Sequence, residues 1–341
     1  MKIAIHSRIN SFAERWISYC KEKNIEYKCV NVYSNDIIEQ IKDCDVFMWH
    51  FHHADYRDMQ FAKSLLFSLQ KRGIKVFPDF NTCWHFDDKI AQKYLLEAIG
   101  APLVPTYVFH TEKEAMQWAE STTYPKVFKL KGGAGASNVK LARAKKDAIK
   151  YIKQSFGKGF CQYRIMEILK EEWRKYKLGK SSLRQLMRPI YYQLTKRYPN
   201  DFDHFRGKEC GYAYFQEFIP NNTFDIRVCV VGDKAFGLKR YTRDNDFRAS
   251  GSGNISYSKA DIDERCLEIA FDVAKKLATQ SIALDFVFDK DNTPLIVEIS
   301  YGYAVAAYDA CEGYWSNDMQ WHKGTNFDFC GWMVENLIKE K

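Results

Sequence analysis

The sequence predicts a mixed α/β (α+β) protein opening with a Rossmann-like domain, and three observations carry that expectation. Strand-like and helix-like runs alternate over the first 86 residues. A glycine-rich loop joins two strands near the middle, and the last third is dominated by strands. At 341 residues with 46% hydrophobic content, the chain is long enough for two or three domains with substantial cores. Its apolar and aromatic content rules out disorder as the main state.

Residues 2–6 read as a strand, 12–23 as a helix, 25–32 as a strand and 37–42 as a helix. The apolar run 45–50, a helix over 57–71 and a strand over 74–77 after Gly73 complete a parallel, doubly wound sheet. Ligands of such a sheet sit beyond the carboxyl ends of its strands, where Ser7, Arg8, His50, His52 and His53 lie. His50 and His52 share a face only if the strand runs through them, and no carboxylate or cysteine completes a metal-ligand spacing. Polar loop residues at a strand end are the favoured reading, with substrate contact left open.

Pro78 to Asn81 breaks the pattern, and a helix over 87–99 stops at Gly100-Ala101-Pro102. A second α+β unit follows: a strand over 106–110, a helix over 111–119, a strand over 126–130, the glycine loop, a strand over 139–142 and a helix over 145–155. The final third places strands at 212–219, 224–231 and 235–241. A helix then carries Ile262, Cys266, Ile269, Val273 and Leu277 on one face, and strands over 283–288 and 294–299 close the core.

The net charge of +8 is concentrated. Residues 161–210 hold 12 Lys and Arg against 6 Asp and Glu, with Trp173, Tyr176, Tyr191 and Tyr192 interleaved. Such a basic, aromatic, helical insertion binds phosphates or an anionic membrane surface, or is a solvated excursion; the two readings weigh equally. No nucleic-acid motif accompanies the charge, so no nucleic-acid partner is expected. The ten cysteines form no Cys-x-x-Cys pair and read as reduced thiols of a cytoplasmic protein. The opening residues do not read as a signal peptide, and no run approaches the length of a membrane span.

Three groups of residues carry chemistry. Lys129-Leu130-Lys131-Gly132-Gly133-Ala134-Gly135-Ala136-Ser137 links two strands, so it matches neither the dinucleotide fingerprint nor the Walker loop. Its glycines, Ser137 and lysines suit a phosphate clamp, although a tight β-turn is the default for such a loop. Asp285 and Glu298 each interrupt an apolar strand, which is costly without a cation or hydrogen bonds. Neighbouring antiparallel strands bring such carboxylates side by side, where a hard cation such as magnesium satisfies both; carboxylates facing solvent or a salt bridge are the alternative. Gln216-Glu217-Phe218-Ile219 and Asp225-Ile226-Arg227 put an acid and an arginine on one strand face, and Lys239, Arg240, Arg243 and Arg248 add a cationic edge.

The order of these pieces, from Asp88-Lys89 through Lys129 and the glycine loop to Asp285 and Glu298, resembles the ATP-grasp superfamily. The resemblance is to its carboxylate–amine ligases, such as ribosomal-protein glutamate ligases and, more loosely, D-alanine–D-alanine ligases. It covers nearly the whole chain except the basic insertion. It implies a pre-ATP-grasp domain over 1–86, a central subdomain over 87–215 with the insertion 161–210, and a C-terminal subdomain over 216–341, the last two clamping ATP. Lys89 and Lys129 then reach the nucleotide phosphates, and Gly132, Gly133, Gly135 and Ser137 close over them. Glu217 and Phe218 meet the adenine, and Asp225 holds the ribose. Asp285 and Glu298 hold Mg2+, with Ser300 where the family usually has an asparagine. The arginine that D-alanine ligases place two residues before the first metal aspartate is replaced by Ala283, which passes the stabilisation of developing charge to Arg227, Arg240, Arg243 or Arg248.

The implied reaction joins a small carboxylate to an amine through an acyl phosphate, with ATP and Mg2+ as cofactors. A kinase acting on a hydroxyl and an ATP-binding protein without turnover are the rivals. The same likeness is compatible with modification of surface polysaccharide or peptide, with a phosphate-bearing or lipid-linked glycan meeting the 161–210 insertion. A cytoplasmic location, with peripheral association at the inner membrane surface as an option, and a homodimer are also compatible with the sequence.

Overall fold

The computed structural model describes residues 1–133, 138–161, 165–177, 179, 181–195, 207–243, 247–249 and 253–339. The chain divides into two compact units: Met1–His52, Phe61–Thr106 and Glu217–Lys341 form the first, and His53–Gln60 with Tyr107–Gln216 the second.

The chain begins with β1 (Lys2–His6), α1 (Phe12–Glu22), β2 (Glu26–Val30), α2 (Ile37–Ile41), β3 (Val46–Met48), α3 (Tyr56–Lys71) and β4 (Lys75–Phe77). The four strands form a parallel sheet in the order β2-β1-β3-β4, as the alternating pattern predicts. Ser11 caps α1 by accepting the Ala13 N–H, and Phe12 and Trp16 on its inner face are fully buried. Helix α1 ends before residue 23 because Asn24 adopts a left-handed conformation (φ 55°) that turns the chain into β2. A one-turn helix, α4 (Phe80–Cys83), occupies the stretch expected to be irregular; the Asp79 carboxylate accepts the Thr82 N–H and holds it. Next comes α5 (Lys89–Ala98), with Asp88 accepting the Ala91 N–H at its start.

The middle of the chain contains β5 (Thr106–Phe109), α6 (Glu112–Ser121), β6 (Lys126–Lys129), β7 (Val139–Ala142) and α7 (Lys145–Phe156). They are followed by β8 (Phe160–Cys161), α8 (Ile165–Lys177), α9 (Leu183–Leu194), β9 (Lys208–Glu209) and β10 (Ala213–Glu217). The sheet order is β5-β10-β6-β7, and its core gathers Phe128, Phe160 and Phe215 with Ala119 and Ile152 from the covering helices. Strands β8 and β9 pair with each other, Cys161 opposite Lys208, so the basic segment leaves and returns through one two-stranded ribbon.

The last part comprises β11 (Phe224–Val231), β12 (Lys234–Tyr241), β13 (Ile255–Ser256), α10 (Glu264–Leu277), β14 (Ser281–Phe288) and β15 (Pro294–Ser300). It ends with β16 (Gly313–Ser316), β17 (Trp321–Lys323) and α11 (Phe329–Lys339). The sheet runs β15-β14-β11-β12-β16-β17, with β13 beside β12. Cys266, Leu267, Ala270 and Val273 of α10 pack on Val228, Val230, Ile282 and Leu284; Ile269, expected on the buried face, is only partly buried.

Contrary to the expectation that β14 and β15 close the core, the β16–β17 hairpin and α11 follow. Short runs broken by Gly302, Gly313 and Gly324 hide them from a periodicity reading. Gly331 explains how α11 docks: a Cβ there would stand 2.5 Å from the Tyr19 ring of α1, and Tyr19 donates to Glu335 at 2.5 Å. Among the described residues, no helix is long and apolar enough to cross a membrane.

Candidate active site

Alternation along a strand sends Asp225 and Arg227 to the same face of β11. Pairing then does the rest. Asp225 lies opposite Arg240 of β12, Arg227 opposite Asp285 of β14, and Asp285 opposite Glu298 of β15. The register of β14 and β15 shifts between Asp285 and Phe286, a bulge of the kind that re-aims side chains next to sites.

The charges interlock. Arg227 donates from Nε to Asp285 Oδ1 at 2.5 Å and from Nη2 to Oδ2 at 2.6 Å. Arg240 forks onto Asp225 in the same way, at 2.7 and 2.8 Å, and its Nη2 also stands 3.1 Å from Asp285 Oδ1. Bidentate guanidinium–carboxylate pairs are among the stronger and most directional polar contacts available. Burial works to raise the Asp285 carboxyl, but Arg227 and Arg240 outweigh it and hold it well below the usual carboxylate range. Asp225 moves the other way: burial pushes it up, Arg240 pulls against that, and the like charge of Asp285 adds to the rise.

Glu298 accepts an ion pair from Lys89 at 3.1 Å, Lys89 being the buried first residue of α5. Ser300 sits two residues on, on the Glu298 face, and its hydroxyl is tied into its own turn: it donates to the Gly302 carbonyl at 2.9 Å and accepts the Gly302 N–H at 3.2 Å. Asp285 and Glu298 are oxygen donors on directly opposed residues, which fits a hard divalent cation. No cluster of three or more His, Cys, Asp or Glu is found among the described residues.

In the second unit, Lys129 ends β6 with its side chain buried, and its Nζ donates to Gln216 Oε1 at 2.6 Å. Its neighbour segment is anchored at both ends. The Lys131 N–H donates to Tyr212 Oη at 2.6 Å, Tyr212 donates on to Glu209 at 2.9 Å, and Asn138 Nδ2 donates to the Gly132 carbonyl at 3.4 Å. Gly133 has φ 102°, which a side chain would oppose. Gly135 and Ser137 lie outside the described residues, as do parts of the 161–210 insertion.

Several expectations change. The cationic edge after β12 is not one face: Lys239 points away from Arg240 and pairs with Asp261 at 3.1 Å. Arg243 and Arg248 are half-buried, and the Arg243 N–H donates to the Arg248 carbonyl at 3.3 Å. The Glu217 N–H donates to the Pro105 carbonyl at 2.9 Å, and Phe218 meets the Phe247 ring edge-on at 5.7 Å. Strand β3 stops at Met48, so it does not run through His50 and His52. His50 instead stacks on Phe12 at 3.8 Å and accepts the Phe12 N–H, a packing role. Sequence reading missed the roles of Gln216 and Tyr212; the one available signal was a glutamine directly after the apolar run Ala213 to Phe215.

Residues 211–309 match the RimK-like ATP-grasp domain family, and the belt from Arg240 to Glu298 lies wholly inside them. The α-aminoadipate–LysW ligase LysX of Saccharolobus solfataricus is 22% identical over 287 residues, covering 82% of this chain and 84% of that protein. A RimK-domain ATP-grasp protein from Sphaerobacter thermophilus superposes with TM-score 0.56 at 14% identity, covering 99% of this chain and all of the other. D-alanine–D-alanine ligase from Bacillus anthracis gives TM-score 0.54 at 13% identity, covering 99% and 98%. The chain has the ATP-grasp fold, and the residues that match the RimK-like family hold its charged belt.

Proposed function

We propose that the protein is an ATP- and Mg2+-dependent carboxylate–amine ligase that works through an acyl phosphate. The observation that carries this reading is the direct opposition of Asp285 and Glu298 across β14 and β15 within the RimK-like ATP-grasp domain. The LysX relative, a ligase by name, supports it.

In this reading Asp285 and Glu298 hold the metal, with Ser300 beside them, and the bound ion supplies charge neutralisation at the triphosphate. Lys89 and Lys129 contact phosphates, as does the segment with Gly132, Gly133, Gly135 and Ser137. The backbone at Glu217 and Phe218 meets the adenine, and Asp225 the ribose. Arg227 and Arg240, with Arg243 and Arg248 behind them, stabilise negative charge as it develops. A substrate carboxylate oxygen attacks the γ-phosphorus, the bond to the ADP oxygen breaks, and an acyl phosphate forms. An amine nitrogen then attacks the acyl carbon, phosphate leaves, and the amine proton passes to solvent. The division 1–86, 87–215 and 216–341 follows from the same reading. So does an acceptor in polysaccharide or peptide modification, with a phosphate-bearing or lipid-linked glycan at segment 161–210.

Incubation with ATP, Mg2+, panels of amino acids and amino sugars, and hydroxylamine tests the proposal. The expected outcome is free phosphate with a trapped hydroxamate. ADP without free phosphate indicates a kinase and overturns the ligase reading, and so does nucleotide binding with neither product.

A further inference from the structure

Twelve large apolar side chains stand exposed among the described residues, and six of them fall within residues 173–194. On α9, Leu183, Met187, Tyr191 and Leu194 recur at spacings of four, four and three, so they share one face. They are 50% to 79% exposed, while Leu186 and Pro189 turn inward. On α8, Trp173 and Tyr176 stack at 6.1 Å and are also open.

The charge around them is predominantly positive, with Glu172 of α8 paired to Lys175 at 2.7 Å. Residues 173–194 contain Arg174, Lys175, Lys177, Lys180, Arg184 and Arg188 and no acidic residue. Two of these cations cover rings: Lys177 Nζ lies 5.4 Å from the Trp173 centroid, and Arg188 Cζ lies 5.2 Å from that of Tyr192.

A solvated helix pair has no reason to keep an apolar stripe in water, and an apolar protein partner has no need of a face so rich in lysine and arginine. An anionic bilayer surface satisfies both features. The apolar stripe and aromatic rings enter the interface between headgroups and acyl chains, while Lys and Arg meet lipid phosphates, each cation near the surface adding measurably to affinity. We propose that the α8–α9 hairpin is a docking surface for anionic phospholipid, seating the protein on a membrane face without spanning it. Strands β8 and β9 pair with each other at the two ends of this segment. The proposal does not rest on the ligase reading, and the two fail separately.

Flotation of the full-length protein with vesicles tests it, comparing pure phosphatidylcholine with mixtures containing phosphatidylglycerol. Binding to the anionic vesicles alone, weakened by added salt, is expected. Arg184→Glu with Arg188→Glu lowers the partition coefficient about tenfold or more, and Met187→Gln with Tyr191→Gln lowers it by a similar factor. Thermal melts of both variants should match that of the unaltered protein, because the substituted side chains are exposed. Equal binding to both vesicle types, or undiminished binding by both variants, overturns the proposal. Release of the protein by millimolar inorganic phosphate at constant ionic strength also overturns it, because that outcome describes a soluble-phosphate site.

Discussion

Each carboxylate of the belt is matched by a cation: Asp225 by Arg240 and Asp285 by Arg227 on neighbouring strands, and Glu298 by Lys89 of α5. Three negative charges on apolar strands are thereby tolerated before any ligand arrives, because pairing offsets part of the cost of taking each carboxylate out of water. The same side chains are the ones proposed to handle metal and phosphate, so ligand entry exchanges one set of ion pairs for another. Nearby, His85 is fully buried, with neither ring nitrogen in a hydrogen bond of good geometry among the described residues. Burial pushes its imidazole down to about 4, Lys63 adds to the fall, and the Asn81 backbone resists it only weakly. The unfolded state therefore binds more protons between about pH 4 and pH 6.5, and stability falls as pH drops through that window. The loss attributable to His85 reaches about 3 kcal/mol at the bottom of the window. Urea titrations at a series of pH values should show it in the unaltered protein and not in His85→Leu; equal slopes in both would remove His85 from the account.

At the scale of elements, the belt depends on strand registers that leave no slack. Gly237 of β12 lies opposite Val228, and a Cβ there would stand 2.9 Å from the Arg227 carbonyl oxygen and 3.4 Å from Ile262. The clashing atom is backbone, so it cannot swing aside. Gly237→Ala is expected to cost about 1–3 kcal/mol by overpacking and to lower turnover by displacing Arg227. Urea unfolding with an unchanged m-value, read beside a turnover assay, checks it; full activity at native stability would show that β11 and β12 can part without moving the arginines. Much of this architecture was legible. β7 and β11 fall on the residues their patterns indicate, since alternating apolar runs between turn signals are local properties. Helix α11 and the β16–β17 hairpin were not, because what makes them regular is packing against Tyr19 and β12, which lie far away in sequence.

For the molecule as a whole, a ligand that binds only the folded chain must stabilise it. At one hundred times its dissociation constant, Mg2+–nucleotide adds about 2.7 kcal/mol, a rise of several degrees in Tm for a chain of this size. Differential scanning fluorimetry with ADP, with and without Mg2+, should show that rise in the unaltered protein. In Glu298→Gln the metal-dependent part should disappear while the metal-independent part survives. An undiminished metal-dependent shift would take Glu298 out of the ligand set. This readout needs no knowledge of the acid or the amine, so it separates nucleotide binding from the identity of the substrates.

The sequence alone determined the main strands and helices before residue 300, the order of the motifs, and the presence of two acids on apolar strands. These follow from side-chain periodicity and from the cost of burying charge, both of which can be read within a few residues. Only the tertiary structure decided that Asp285 faces both Glu298 and Arg227, that Lys239 turns away from Arg240, and that Gln216 receives Lys129. Those partners are tens of residues apart, and a change of one residue in strand register would send each side chain to the opposite face.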